Sequence, residues 1–177
     1  MRFLGNIEAK TDAKGRAFLP VTFRKILQVS GEENLVLRKD VFQPCLVIYP
    51  ESVWNSLLDN LRSKLNRWNA REQQIYRAFI ADAIQLTLDG NGRFLIPKRL
   101  LKLADIEQGI RFVGMGDTIE IWKSEGEEEP FMDQEEFSKA LQDIMSANDP
   151  GCKAASGEGC KAEGCEGIMS SNNVVKD

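Results

Sequence analysis

The chain has 177 residues and an ordinary apolar content, so it can build one domain or two small ones around a substantial core. It contains no histidine, which excludes a Ser-His-Asp triad, a Cys-His pair and every histidine-containing zinc site. The formal charge of −4 is unevenly distributed: residues 1–104 hold 17 Lys or Arg against 10 Asp or Glu, and the remainder holds 6 against 17. The acidic total therefore does not exclude a nucleic-acid partner, because phosphate responds to the local field.

The sequence predicts a cytoplasmic protein with no membrane partner. No apolar stretch approaches the roughly 20 residues that span a bilayer, and the first residues lack the apolar core of a secretory signal. Cys45 stands alone in an apolar run, and three more cysteines (Cys152, Cys160 and Cys165) lie in a Gly-rich tail with spacing unusual for zinc. We therefore expect no disulfide framework, no metal and no cofactor.

A motif near the start of the chain occurs again further along it. Residues 12–20 read DAKGRAFLP and residues 89–97 read DGNGRFLIP, an offset of 77. The Asp, Gly, Arg and Pro positions coincide, and similar amphipathic and apolar runs follow both copies. The chain therefore contains an internal repeat.

Each copy is predicted to form a strand, a tight turn, a second strand, a short helix and a hairpin. The Asp of the motif can accept hydrogen bonds from backbone N–H groups of the turn, and its Gly supplies a positive φ. Pro20 and Pro97 stop the second strand and suit the first turn of a helix. Gly31 and Gly109 are predicted to end those helices.

Two helices are predicted between the copies, one after Pro50 and one at Ala70–Ala83, because apolar residues recur there at helical spacing. After Trp122 an acidic loop at 125–130 precedes a predicted helix at Asp133–Ala147. From residue 148 onward Gly, Ser, Lys and Glu dominate, so we expect a disordered tail.

An arginine directly follows the glycine of each turn. A rigid turn can present this guanidinium outward, where its fork matches phosphate oxygens and the O6/N7 edge of guanine. The first loop adds a lysine, and the equivalent asparagine of the second loop can still hydrogen-bond to phosphate or base. The residues predicted to contact DNA are Lys14, Arg16, Asn91 and Arg93, and those predicted to shape the loops are Asp12, Gly15, Asp89 and Gly92.

Simpler interpretations of the same charges stay open. Arg16 and Arg93 could pair with the aspartate four residues earlier, although exposed pairs of this kind stabilise a fold little. A second basic surface could lie on the helices between the copies, but such positions are usually the solvated face of an amphipathic helix. Its members would be Arg62, Lys64, Arg67, Arg71 and Arg77.

The paired motifs resemble those of the MraZ family of bacterial transcriptional regulators. Phe3-x-Gly5 at the start, Arg77-x-Phe79 before the second copy and Glu120-Ile-Trp122 after it fit the same family, so the resemblance covers about residues 1–147. It implies an α+β fold of two tandem AbrB/SpoVT-like swapped-hairpin half-barrels with inserted helices, a C-terminal helix and a disordered tail. The expected division is 1–50 and 84–124 for the repeats, 51–83 for the inserted helices, 125–147 for the acidic loop and helix, and 148–177 for the tail.

The resemblance also implies a function. It predicts a non-enzymatic, nucleoid-associated regulator that assembles into a homo-oligomeric ring and binds double-stranded DNA upstream of the division and cell-wall gene cluster. Arg16, Arg93 and their loop neighbours would make the contacts. Because interfaces in a ring are head-to-tail, we expect direct repeats spaced about one helical turn apart.

Two rival functions are compatible with the residues. The first is an AbrB-type antitoxin or partner-binding module that uses the C-terminal helix and tail. The second is a small barrel enzyme with the Asp and Arg of each motif as acid and cation, which requires a concave pocket and shifted carboxylate pKa values.

Overall fold

The computed structural model describes residues 1–124 and 131–147. The acidic loop and the disordered tail predicted from the sequence, at 125–130 and 148–177, lie outside the described residues. The described elements form an α+β fold, as predicted, in which helices pack against antiparallel strands.

The first copy of the motif is followed by a helix and a hairpin, as predicted. Its elements are β1 (Asn6–Lys10), β2 (Arg16–Phe18), α1 (Val21–Ser30), β3 (Leu35–Lys39) and β4 (Leu46–Pro50). Helix α1 begins directly after Pro20 and ends at Gly31, which adopts a left-handed φ of 69°. The glycine at this position therefore ends the helix, in agreement with the sequence prediction.

Two helices follow the first hairpin, α2 (Glu51–Ser63) and α3 (Ala70–Ala81), and the second ends two residues before the predicted Ala83. The side chain of Asn69 accepts hydrogen bonds from the N–H groups of Arg71 and Glu72, which caps α3. Trp54 of α2 stacks on Phe79 of α3 with ring centroids 5.7 Å apart. The two helices are thus joined by an aromatic contact.

The second copy repeats the order with β5 (Ile84–Leu86), β6 (Arg93–Leu95), α4 (Lys98–Leu103), β7 (Gly109–Gly114) and β8 (Ile119–Lys123). The prediction that Gly109 ends the helix is wrong. Helix α4 stops at Leu103, the backbone turns at Asp105 with a φ of 52°, and Gly109 begins β7. The early stop lets Ile106 bury its side chain, which is 5% exposed, and donate its N–H to the Leu101 carbonyl.

The strands of the two copies interleave. One sheet has the order β1-β7-β8-β4-β3-β5, and β2 and β6 form a separate two-stranded ribbon. Strand β1 of the first copy therefore pairs with the hairpin of the second copy, and β5 of the second copy pairs with the hairpin of the first. Within the described residues, neither copy completes its own sheet.

Alternate residues of the large sheet face a common apolar core, as the two-residue period of a strand requires. The ribbon covers this core with Ala17 and Phe94, which are at most 2% exposed. The large inward side chains of the sheet that are fully buried include Leu37, Ile48, Ile110, Phe112, Ile119 and Ile121. Burying such a side chain contributes about 1.5–3 kcal/mol, so the core holds the ribbon in place.

Helix α5 (Gln134–Ala147) belongs to a second unit that starts at Phe131. The carboxylate of Asp133 accepts hydrogen bonds from the N–H groups of Glu135 and Glu136, which caps the helix. Phe137, Leu141 and Met145, spaced four residues apart, place an exposed apolar stripe on one face. None of the helices described within 1–124 and 131–147 has the length and apolar character needed to cross a membrane.

Candidate nucleic-acid interface

Loop 1, residues 12–15, is organised by the carboxylate of Asp12. Its Oδ1 accepts hydrogen bonds from the backbone N–H groups of Lys14 and Arg16, both at 2.9 Å. Its Oδ2 accepts a hydrogen bond from Nε of Arg16 at 2.7 Å. Gly15 has a φ of 84° and donates its N–H to the Asp12 carbonyl. One carboxylate thus holds both the turn and the guanidinium that follows it.

Loop 2, residues 89–92, has the same geometry. Oδ1 of Asp89 accepts hydrogen bonds from the N–H groups of Asn91 and Arg93 at 2.9 Å, and Oδ2 accepts one from Nε of Arg93 at 2.8 Å. Gly92 has a φ of 78° and donates its N–H to the Asp89 carbonyl. The ion pairs that the sequence allowed as an alternative are therefore present in both loops; the pair in loop 1 is solvent-exposed, and the arginine of the pair in loop 2 is half-buried.

Both loop carboxylates are held in the ionised form. The backbone N–H and then the guanidinium of Arg16 lower the pKa of Asp12 below 3.8. The backbone N–H and then the guanidinium of Arg93 lower the pKa of Asp89 in the same way. A general acid needs a raised carboxyl pKa, so this pattern argues against the acid role that the enzyme hypothesis assigns to these residues.

The ribbon β2–β6 places the two arginines on one outward face. In its register Arg16 lies opposite Leu95, and Phe18 lies opposite Arg93. Because the strands run antiparallel, loops 1 and 2 enter the ribbon from opposite ends, and the two arginines are about 7 Å apart along the strand direction. Lys14 is exposed within its loop, close to Arg16 in sequence.

Each loop rests on the helix of the other copy. A Cβ at Gly15 would lie 2.7 Å from the Ile96 carbonyl oxygen and 3.2 Å from the Leu101 side chain, both from the second copy. A Cβ at Gly92 would lie 2.4 Å from the Arg24 side chain, from the first copy. Glycine is therefore required at position 15 by close approach to the backbone and by positive φ, whereas at position 92 it is favoured by positive φ, since the Arg24 side chain can move.

Arg24 is a candidate site residue that the sequence reasoning missed. Its Nη1 donates a hydrogen bond to the Asn91 carbonyl at 3.2 Å, and its Nε is buried without a hydrogen-bond partner among the described residues. At the repeat offset of 77 its counterpart is Leu101, which lies under loop 1. The signal in the sequence was an arginine at a repeat position where the other copy has a leucine.

The surroundings of loop 1 add further cations. A concavity of about 260 Å³ beside the loop is lined by residues that include Asp12, Gly15, Lys98 and Lys102. Asn91, at the position equivalent to Lys14, is neutral and exposed on loop 2. The structure thus gives loop 1 its extra positive charge from Lys14 and α4, and loop 2 its extra charge from Arg24.

Within residues 1–124 and 131–147, no group of three or more Cys, Asp or Glu side chains is placed to hold a metal ion. Cys45 is a buried free thiol, and burial raises its pKa to about 12. The tail cysteines Cys152, Cys160 and Cys165 lie outside the described residues.

Comparison with known proteins matches the chain to one family model twice. The model described as "MraZ protein, putative antitoxin-like" matches residues 2–78 and 79–145. Each match contains one loop of the candidate interface.

Curated relatives that share most of the chain have the same name. "Transcriptional regulator MraZ" of Phocaeicola vulgatus is 62% identical over 148 residues, which cover 84% of this chain and 96% of the relative. The protein of that name from Bacteroides thetaiotaomicron is 57% identical, covering 82% of this chain and 94% of the relative. The one from Christiangramia forsetii is 33% identical, covering 84% and 96%. The chain therefore belongs to the MraZ family.

Proposed function

We propose that the protein is a sequence-specific DNA-binding regulator of transcription and that loops 1 and 2 bind DNA from the ribbon between them. The observation that carries this proposal is the pair of arginines fixed on one exposed face of β2–β6. A major groove about 12 Å wide admits a two-stranded ribbon of this kind. The names of the curated relatives support the regulatory role.

The ion pairs in the loops are compatible with DNA binding. Asp12 Oδ2 lies 2.7 Å from both Nε and Nη2 of Arg16, and Asp89 Oδ2 accepts a hydrogen bond from Nε of Arg93. Each guanidinium still has other N–H donors for phosphate or a base edge, and its side chain is restricted before DNA binds. Lys14 and Arg16 outweigh Asp12, which gives loop 1 one net positive charge. Arg93 alone would only balance Asp89, and Arg24 gives loop 2 a positive excess as well.

Each chain offers few contacts, so useful affinity requires several chains on one DNA. We propose a homo-oligomeric ring whose loops bind direct repeats upstream of the division and cell-wall gene cluster, with the protein acting in the cytoplasm on the nucleoid. The interleaved strands also support the proposal that the two copies adopt the swapped-hairpin half-barrel arrangement of AbrB-like proteins, with the division into repeats expected from the sequence.

The variant Arg16→Ala/Arg93→Ala tests the DNA-binding proposal. We expect the affinity for selected genomic DNA to fall about 30-fold or more, since each good base contact supplies about 1–3 kcal/mol of discrimination. Arg67→Ala/Arg71→Ala is the matched comparison, because it removes the same charge from the alternative basic surface between the copies. An equal loss of affinity in that variant would show that DNA binding is not specific to the loops. Equal affinities for the wild type and the loop variant, with fold and assembly retained, would refute the proposal.

A partner-binding role is the second candidate function, and the exposed stripe of Phe137, Leu141 and Met145 on α5 favours it. A chain ending at Ser124 separates the two functions. If DNA binding is the main function of the described loops, their contacts with DNA survive this truncation, whereas capture of a protein partner by α5 does not.

A further inference from the structure

The outward face of the ribbon is not purely cationic. Between the arginines it carries Phe18 and Leu95, which are 56% and 57% exposed, whereas Ala17 and Phe94 on the opposite face are buried. Two large exposed apolar side chains beside the arginines contribute nothing to phosphate capture. Their exposure is explained if an apolar group covers them in the bound state.

The register of the ribbon pairs each cation with one apolar side chain. Leu95 lies directly opposite Arg16, and Phe18 lies directly opposite Arg93. The guanidinium carbon of Arg93 is 5.7 Å from the centroid of the Phe18 ring. A ligand that binds this face must therefore present an apolar group beside each hydrogen-bond acceptor that an arginine contacts.

The major groove of DNA offers this combination. The C5-methyl group of thymine is a distinctive apolar feature of its base edges, and where a T·A pair adjoins a G·C pair it lies next to the guanine O6 and N7 acceptors that arginine recognises. We propose that Phe18 and Leu95 contact thymine methyl groups and thereby determine part of the sequence specificity. This inference rests on the proposed function, and it assigns a thymine position to each apolar side chain.

Replacing thymine by uracil in the bound DNA tests the inference, because the exchange removes only the methyl group. The probes are synthetic duplexes of a bound genomic fragment with dT replaced by dU at one position at a time. We expect the wild-type protein to lose about fourfold in affinity at one or more positions, the value expected for one buried methyl-sized group.

The variants Phe18→Ala and Leu95→Ala assign the contacts. Each variant should bind the dT and dU duplexes equally well at the DNA position that its missing side chain would contact. It should keep the fourfold preference for dT at the position contacted by the remaining apolar side chain. Val29→Ala is the matched control, because Val29 is 90% exposed on α1 and its loss should leave both preferences unchanged.

The outcomes separate this inference from the proposed function. A wild-type protein that binds DNA but does not distinguish dT from dU overturns the inference and leaves DNA binding intact. Variants that keep the dT preference also overturn the inference, because other residues then contact the methyl groups. Variants that change the number of subunits instead overturn it by showing that the apolar face meets another copy of the chain. Absence of binding to any genomic fragment is a failure of the proposed function itself.

Discussion

Arg24 shows how one side chain can link the two copies. It belongs to α1 of the first copy, yet it lies against Gly92 and hydrogen-bonds to Asn91 in the second loop. When the copies are aligned at their offset of 77, the cation stands at different positions. Loop 1 has Lys14 and rests on Leu101, whereas loop 2 has Asn91 and rests on Arg24. Different residues thus supply the extra cation at the two loops, which the positions identical between the copies do not reveal.

Moving the positive charge from residue 24 to residue 91 tests whether Arg24 supplies the extra cation of loop 2. Arg24→Leu should weaken DNA binding and reduce the magnitude of the salt slope, d log K/d log[salt], by about 1, as expected for the loss of one phosphate contact. Adding Asn91→Lys, which reproduces the pattern of loop 1, should restore the slope. Lys64→Leu serves as the control for loss of one charge elsewhere.

A structural role alone for Arg24 makes a different prediction. In that case Arg24→Leu lowers the melting temperature and the affinity but leaves the salt slope unchanged, and Asn91→Lys does not rescue binding. Measurement of affinity at several salt concentrations distinguishes the two roles.

The loop carboxylates give a prediction for pH. Their pKa values are lowered in the folded protein, so ionisation of Asp12 and Asp89 stabilises the loops fully above the unfolded-state value near 3.8. This contribution is lost as the pH falls through the lower folded-state pKa. The loop geometry should therefore stay constant from about pH 5 to 8.

Carboxyl carbon NMR measures these titrations directly. Midpoints for Asp12 and Asp89 below 3.8 are expected, and Asp12 should shift upward in Arg16→Ala because the guanidinium is gone. A midpoint at or above 3.8 in the wild type would contradict the hydrogen-bonded geometry of the loops.

At the scale of elements, local patterns predicted much of the fold. The turn residues, the helices that follow Pro20 and Pro97, and the hairpins could be identified because each is specified by residues close in sequence. Gly109 misled the prediction, since burial of Ile106 ended α4 earlier. Strand partners could not be assigned, because the two copies have similar strands and only packing of the whole core decides whether a strand pairs with its own hairpin.

The interleaving predicts that neither copy folds alone. A fragment of residues 1–78 keeps β1 but lacks its partner β7, and a fragment of residues 79–147 keeps β5 but lacks its partner β3. We expect each separate fragment to show no cooperative thermal transition as a monomer, and an equimolar mixture to recover the transition of the full chain. Circular dichroism detects the thermal transition, and sedimentation measurements distinguish pairing of the two different fragments from self-pairing of identical ones. A monomeric fragment that melts cooperatively would contradict the interleaved topology.

At the scale of the whole molecule, the distribution of charge matters more than its sum. Residues 1–104 carry the basic excess and both candidate loops, and the acidic excess lies in the remainder. Charges more than about 8 Å apart are largely screened from each other at physiological salt, so the field at the loops depends on the charges next to them and not on the net charge of the chain. The part of each chain that the structure describes has one ribbon and a modest local charge, so the proposed DNA binding requires several chains.

The proposed ring fixes the DNA that can be bound. Head-to-tail neighbours present their ribbons in the same orientation, so successive sites must be direct repeats about 10 base pairs apart, on one side of the double helix.

Inserting about 5 base pairs between two repeats turns the second site to the opposite side, and we expect the affinity to fall to that of one repeat. Inserting about 10 base pairs returns the site to the same side and should recover part of the avidity, limited by the reach between subunits. Gel-shift titration of these duplexes, with one repeat inverted as the control, measures the effect. Equal binding to the inverted duplex, or enrichment of palindromes in genomic selection, would instead require subunits related by two-fold symmetry.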